Sequence, residues 1–156
     1  MRNKYIFIAV LVCLVAFGMA IIATGEFKAD FEKSGEFFSL MSGMKQGKSP
    51  HGMVQIWYSN NLKDIIGKPA FKAPVGSMSI KPFNNDGKPG IDGIAVMIKK
   101  EAGYDKENGD WLYEMRTPKG EIMKKMGMPM EGKIKMCIGC HSAASAKDYL
   151  AGTEMR

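Results

Sequence analysis

Thiols and imidazoles are scarce in this chain. Its 156 residues include three cysteines and two histidines. One cysteine, Cys13, lies inside an apolar run near the N-terminus. It lacks the preceding small residue of a bacterial lipoprotein signal and reads as a buried apolar side chain. The other two, Cys137 and Cys140, stand side by side with His141 in "MCIGCH", close to the C-terminus. A structural zinc site takes a second pair of ligands, and no further thiol exists outside the apolar run. A thioredoxin-like CxxC belongs to a βαβ context that this chain does not show. A lone disulfide across two residues would leave His141 without a purpose. Basic blocks are missing too. The net charge is +6, and the charges alternate in sign along the chain. That pattern fits a solvated surface and no nucleic-acid partner, and leaves room for an acidic redox partner or an anionic membrane surface. There is no internal repeat and no low-complexity tract. The length suits one compact domain with a real core.

What is present begins with "MRNKYIFIAVLVCLVAFGMAIIATGE". Arg2 and Lys4 precede an uncharged run from Tyr5 to Gly25. A secretory h-region is usually about 7–15 residues, and a spanning helix needs about 20. Ala23-Thr24-Gly25 offers a small-residue cleavage site. Residues 1–25 are therefore expected to be an N-terminal apolar helix, either a cleaved signal peptide or an uncleaved membrane anchor. Both place Arg2 and Lys4 in the cytoplasm and export everything after Gly25. The expected location is the periplasm, soluble after cleavage or tethered to the inner membrane.

Between residues 26 and 50, Phe27, Phe31, Phe38 and Met41 recur near helical spacing. The spacing predicts an amphipathic helix broken around Ser34-Gly35, followed by a linker from Gly43 to His51. Strand patterns follow at Met53–Ser59, Gly76–Phe83, Ile91–Lys100 and Trp111–Thr117. Pro82 places the end of the second at a sheet edge or a bulge. Asn60-Asn61 opens a short helical turn closed by Gly67, and a helix is expected from about Cys137 to Leu150. The fold class is α+β: an antiparallel β-sheet domain with flanking helices, the last one carrying CxxCH. That sheet domain is expected to span residues 51–156.

Cys137-Ile138-Gly139-Cys140-His141 is the c-type haem attachment pattern. Two thiols add to the two vinyl groups on one porphyrin edge, and the two residues between them match the vinyl separation. His141 follows directly and serves as the proximal iron ligand. The cofactor expected is one covalently attached haem c, held by Cys137, Cys140 and His141. Five methionines lie from Met123 to Met136. They suit flexible packing around a flat macrocycle, and one of them, such as Met128 or Met130, would be the second axial ligand of an electron carrier. His51, in a Ser-Pro-His-Gly loop, reads as a surface or supporting residue rather than an iron ligand.

The haem motif lies at the far end of the chain, behind a strand-patterned body. That combination resembles the cytochrome P-460 family, which includes the cytochromes c-prime-beta. The resemblance covers roughly residues 51–150. "HGMVQIWYSN" looks like the family's first core strand, "GSMSIK" like its Gly-x-x-x-x-Lys strand, "GDWLYEM" like its Asp/Asn-Trp strand. "CIGCHSAASAKDYL" looks like its CxxCH followed by Asp-Tyr. The resemblance implies a haem c protein on an antiparallel sheet, often a homodimer. It implies an open distal site that binds nitric oxide or carbon monoxide, or oxidises hydroxylamine and passes electrons to a periplasmic carrier. The alternative is a six-coordinate His/Met electron-transfer cytochrome, and whether the protein is an enzyme stays open.

Carried over from the family, Lys81 is the lysine bonded to the macrocycle. A desolvated lysine at a haem edge is a nucleophilic amine. Pro82 and Val75-Gly76 depart from the pattern around it, and an exposed lysine on a strand edge is the other reading. Gln55 falls at the family's polar distal position. Phe71 and Phe83 are candidates to cap the iron or ordinary core residues, and Glu101 and Glu114 are candidate proton acceptors. Trp111 and Tyr149 are expected to pack against the haem or the terminal helix.

Overall fold

The computed structural model of the protein describes residues 27–47 and 51–155. The N-terminal apolar segment lies outside those residues. Six strands form the main sheet in the order β1-β4-β5-β6-β7-β10, all neighbours antiparallel. They are β1 (Phe37–Ser39), β4 (Trp57–Ser59), β5 (Met78–Asn84), β6 (Gly93–Lys99), β7 (Trp111–Arg116) and β10 (Glu131–Gly132). A short ladder of β2 (Lys45–Gln46) and β3 (Met53–Val54) joins β5 beside β4. A separate small hairpin pairs β8 (Lys124–Lys125) with β9 (Met128–Pro129). One α-helix, α1 (Lys135–His141), carries the CxxCH sequence. A 3-10 stretch, Ser142–Lys147, continues it with a break at Ala144.

The helix predicted from Glu26 to Met44, ahead of the linker, is absent among the described residues. Phe31, Lys33 and Ser34 bond three residues back, so the chain makes tight turns and no α-helical ladder. Gly35, at φ +71°, ends those turns. Phe37 and Phe38 then point to opposite sides of β1, which is a period of two rather than 3.6. Phe37 packs on one apolar cluster and Phe38 on the other.

Those two clusters cover the two faces of the sheet. Met78, Ile80, Ile94, Val96 and Ile98 face Phe31, under the N-terminal turns. Ile56, Tyr58, Met97, Trp111 and Tyr113 face Leu62 and Leu150, under the 60s segment and the C-terminal segment. With both faces covered, β5 and β6 are buried nearly throughout.

Pro82 is neither at an edge nor in a bulge. It sits inside central β5, opposite Ile94 of β6. On its other side the register of β3 and β4 is the same, with Val54 opposite Phe83 and Trp57 opposite Ile80. Gln55 N–H donates to Pro82 O at 3.3 Å, but proline has no N–H to return. The missing bond divides what the sequence presents as one strand into β3 and β4.

The C-terminal segment is fastened by a buried ion pair. Lys99 Nζ lies 2.6 Å from Asp148 Oδ2, with side chains 10% and 2% exposed. The same oxygen accepts the Ala73 N–H at 2.9 Å. Lys99 also donates to Gly109 O at 2.7 Å, and Trp111 Nε1–H donates to Asp148 O at 2.8 Å. Trp111 thus does pack against the terminal segment, whereas Tyr149 belongs to that segment and packs on the loop before β7, its hydroxyl donating to Glu107 O at 3.0 Å. Gly109 has φ +75°, and a Cβ there would meet the Tyr149 ring at 2.5 Å. Gly109→Ala is therefore expected to cost at least about 2 kcal/mol, from the left-handed backbone and the displaced ring together. A lower urea midpoint with an unchanged slope checks this.

Candidate functional site

Strand alternation and the terminal segment build a cavity between them. On the sheet side, Ile56, Ser79, Lys81, Ala95, Met97, Tyr113 and Met115 share one face of the sheet. On the other side are Cys137, Cys140 and His141 of α1 with Ala151 beyond it. A small cavity of about 60 Å3 adjoins a larger one of about 550 Å3. His51, Ile56, Lys81, Cys140 and His141 line both. The larger volume falls within the roughly 300–1,000 Å3 of cofactor and ligand pockets. Val54, Ile56, Leu150 and Ala151 make much of its wall apolar.

Helical geometry brings the two thiols together. Cys137 and Cys140 are three residues apart in α1, one turn of the helix. Neither is in a disulfide, and burial raises the pKa of Cys137. His141 ends the helix. Its Nδ1–H donates to the Tyr149 carbonyl at 2.7 Å. A carbonyl only accepts, so the neutral ring carries its proton on Nδ1 and keeps Nε2 free as a ligand atom. Tyr149 has φ +66° and Asp148 φ +48°. That reversal of the chain, held by Lys99, turns the carbonyl back to the ring. Burial is the main reason the His141 pKa falls, with the Lys81 charge adding to it. The Tyr113 ring meets the His141 ring edge to face at 5.5 Å.

These residues suit a haem c. Two thiols one turn apart, an imidazole with a free Nε2, an apolar wall and a cofactor-sized space are the donor set and the container it requires. The Tyr113 hydroxyl lines the small cavity, is buried, and has no hydrogen-bond partner among the described residues. Buried hydroxyls are normally satisfied, so it is a donor available to whatever fills the space.

The structure sorts the other sequence candidates. Lys81 is on a central strand, half-buried, and lines both cavities. It is not an exposed strand-edge lysine. Burial lowers its pKa, against the raising effect of Cys137 and Cys140. Gln55 lines neither cavity. Its amide donates to Met41 O at 3.4 Å instead. Phe71 and Phe83 line neither cavity: Phe71 packs on the core under the 60s segment, and Phe83 stacks on His51. Glu101 is in an exposed turn. Glu114 reaches the small cavity, but its carboxylate is held by Arg116 Nε at 2.7 Å. Met128 is exposed, and neither it nor Met130 lines either cavity.

Sequence reasoning undervalued His51, which lines both cavities rather than the surface. Its being one of only two imidazoles was the available signal. Lys99 and Tyr113 were passed over as well. Counting by twos from Trp111 puts Tyr113 and Met115 on the haem-motif face, which was there to be read. No family model matches the chain, and no curated protein matches it in sequence.

Proposed function

We propose that the chain is an exported mono-haem c-type cytochrome of the cytochrome P-460 and cytochrome c-prime-beta kind. In this reading Cys137 and Cys140 carry the haem, His141 is the proximal ligand, and the opposite side stays open for nitric oxide or hydroxylamine. The observation that carries it is that Cys137, Cys140 and His141 line one small cavity, and that Cys140 and His141 also line the adjoining cofactor-sized one, with the His141 tautomer fixed by Tyr149 O.

Haem iron supplies a vacant coordination position and a one-electron couple. The chain supplies the rest. The Tyr149 carbonyl orients His141 and raises its basicity. Val54, Ile56 and Leu150 would offer the macrocycle an apolar surface. Lys81 is desolvated beside the two thiols, which is where an amine becomes nucleophilic. As an enzyme the protein would hand electrons to a periplasmic carrier; as a binder it would sequester or sense the gas. The homodimer expected from the resemblance belongs to this proposal.

The spectrum of the reduced protein with and without carbon monoxide tests the reading. The expected result is a high-spin haem whose bands shift on adding the gas. A low-spin spectrum indifferent to carbon monoxide would establish the carrier instead, with a sulfur such as Met97 or Met115 on the sheet wall as second ligand. Lys81→Ala separates the two behaviours of the family. A red-shifted Soret band that reverts in the variant marks the bonded, hydroxylamine-oxidising type. An ordinary haem c spectrum in both proteins marks the gas-binding type.

A further inference from the structure

His51 was not among the residues expected to meet the ligand, yet its placement is the most specific on the sheet side of the cavity. It lines both cavities together with Lys81 and His141. His141 belongs to the C-terminal wall, whereas His51 comes from the loop leading into β3, on the sheet wall. The backbone next to it is pinned. Gly52 bridges to Asn84, and its carbonyl accepts the Gly47 N–H at 2.7 Å. Gly52 has φ +53°, and a Cβ there would lie 2.3 Å from Asn84 O. Only glycine fits, so the loop is held against the end of β5. The His51 ring then rests on Phe83, centroid to centroid 5.4 Å at 56°. Phe83 itself is 5% exposed, so the surface under the imidazole is fixed core.

We infer that His51 is the polar side chain facing the vacant coordination position, where it donates a hydrogen bond to a small ligand bound there. The inference rests on the open haem c site proposed above. It transfers to His51 the role the sequence suggested for Gln55, whose amide is engaged with Met41 O. The ring is suited to that work. Burial first, with the Lys81 charge adding to it, lowers its pKa to about 4. Near neutral pH it is uncharged, with one N–H to donate and one nitrogen to accept. It therefore meets a diatomic or hydroxylamine-sized guest as an uncharged hydrogen-bond donor.

Carbon monoxide is the probe, and the full-length protein with its haem attached is the sample. In the reduced wild type, the carbonyl stretch is expected at a lower frequency than in His51→Leu. Carbon monoxide is expected to leave His51→Leu about three- to tenfold faster, the range that one hydrogen bond is worth. His51→Gln keeps a donor and is expected to recover part of both effects, which a merely structural role would not do. Haem content and circular dichroism confirm that each variant is folded; if His51→Leu is not, His51→Phe against His51→Gln makes the same comparison. A wild type that binds carbon monoxide, with stretch and dissociation rate untouched by loss of the imidazole, overturns the assignment of His51. A wild type that does not bind carbon monoxide overturns the open site itself, so the two failures are distinct.

Discussion

Replacing Cys137 and Cys140 together with alanine will leave no haem on the polypeptide after denaturation. The wild type will keep one haem per chain through the same treatment. The effect is all or none because a thioether survives unfolding, whereas axial coordination by His141 does not. Haem staining of a denaturing gel and the intact mass read it directly. Each single replacement is expected to leave one thioether, and with it a visible shift in the reduced haem bands. If the chain carries no haem-sized mass increment when it is expressed with attachment machinery, the cytochrome reading is wrong at its root. The geometry makes the expectation sharp: both thiols are free of disulfides and on one turn of α1, lining the same small cavity as His141.

The second large effect is structural. Asp148→Ala will strand the Lys99 ammonium, whose side chain is 10% exposed. It also removes the acceptor of the Ala73 N–H. Breaking one side of a buried pair costs about 3–5 kcal/mol, because the remaining charge stays desolvated. For a domain of this size that is on the order of 10–15 °C in melting temperature. Lys99→Met combined with Asp148→Ala is expected to be less destabilised than the two single changes added together, since no charge is left uncompensated. Circular dichroism melts of the four proteins complete the cycle. Equal, additive losses would show that the pair is not coupled. Asp148 also precedes the carbonyl that holds His141. The same variant is therefore expected to broaden the haem bands by loosening the imidazole.

Much of the sheet was legible because its strands obey a period of two over six or seven residues. Met78, Ile80 and the apolar residues of β6 announce a strand buried on both faces. The CxxCH was legible because its spacing is chemistry rather than packing. The N-terminal turns were not legible: Phe27 and Phe31 are four apart, the spacing of a helix, but that spacing also serves two side chains reaching one cluster from successive turns. The break between β3 and β4 lies in a hydrogen bond that a proline on another strand cannot make, which no window around Gln55 contains. The terminal helix was drawn too long because Ala144 departs from helical dihedrals and the chain reverses at Asp148 and Tyr149. Lys99 looked like a solvated strand-end lysine until a carboxylate 49 residues later was placed beside it. His51 was set aside because a Ser-Pro-His-Gly loop has the composition of a surface; its Phe83 support comes from another strand.

The division of the cavity between early strands and the last stretch of the chain has a consequence for how the protein is made. If the chain is exported as proposed, crossing a membrane amino-end first would deliver His51 and Lys81 well before Cys137. The Cys137–His141 turn follows the sheet strands in the chain, and it is held against the sheet by the Asp148–Lys99 bond. Contacts so distant in sequence form late. In the proposed reading, the thiols would pass through a stage in which they are presented on an unlatched segment, open to the attachment machinery, and the Lys99–Asp148 latch would shut behind the attached haem.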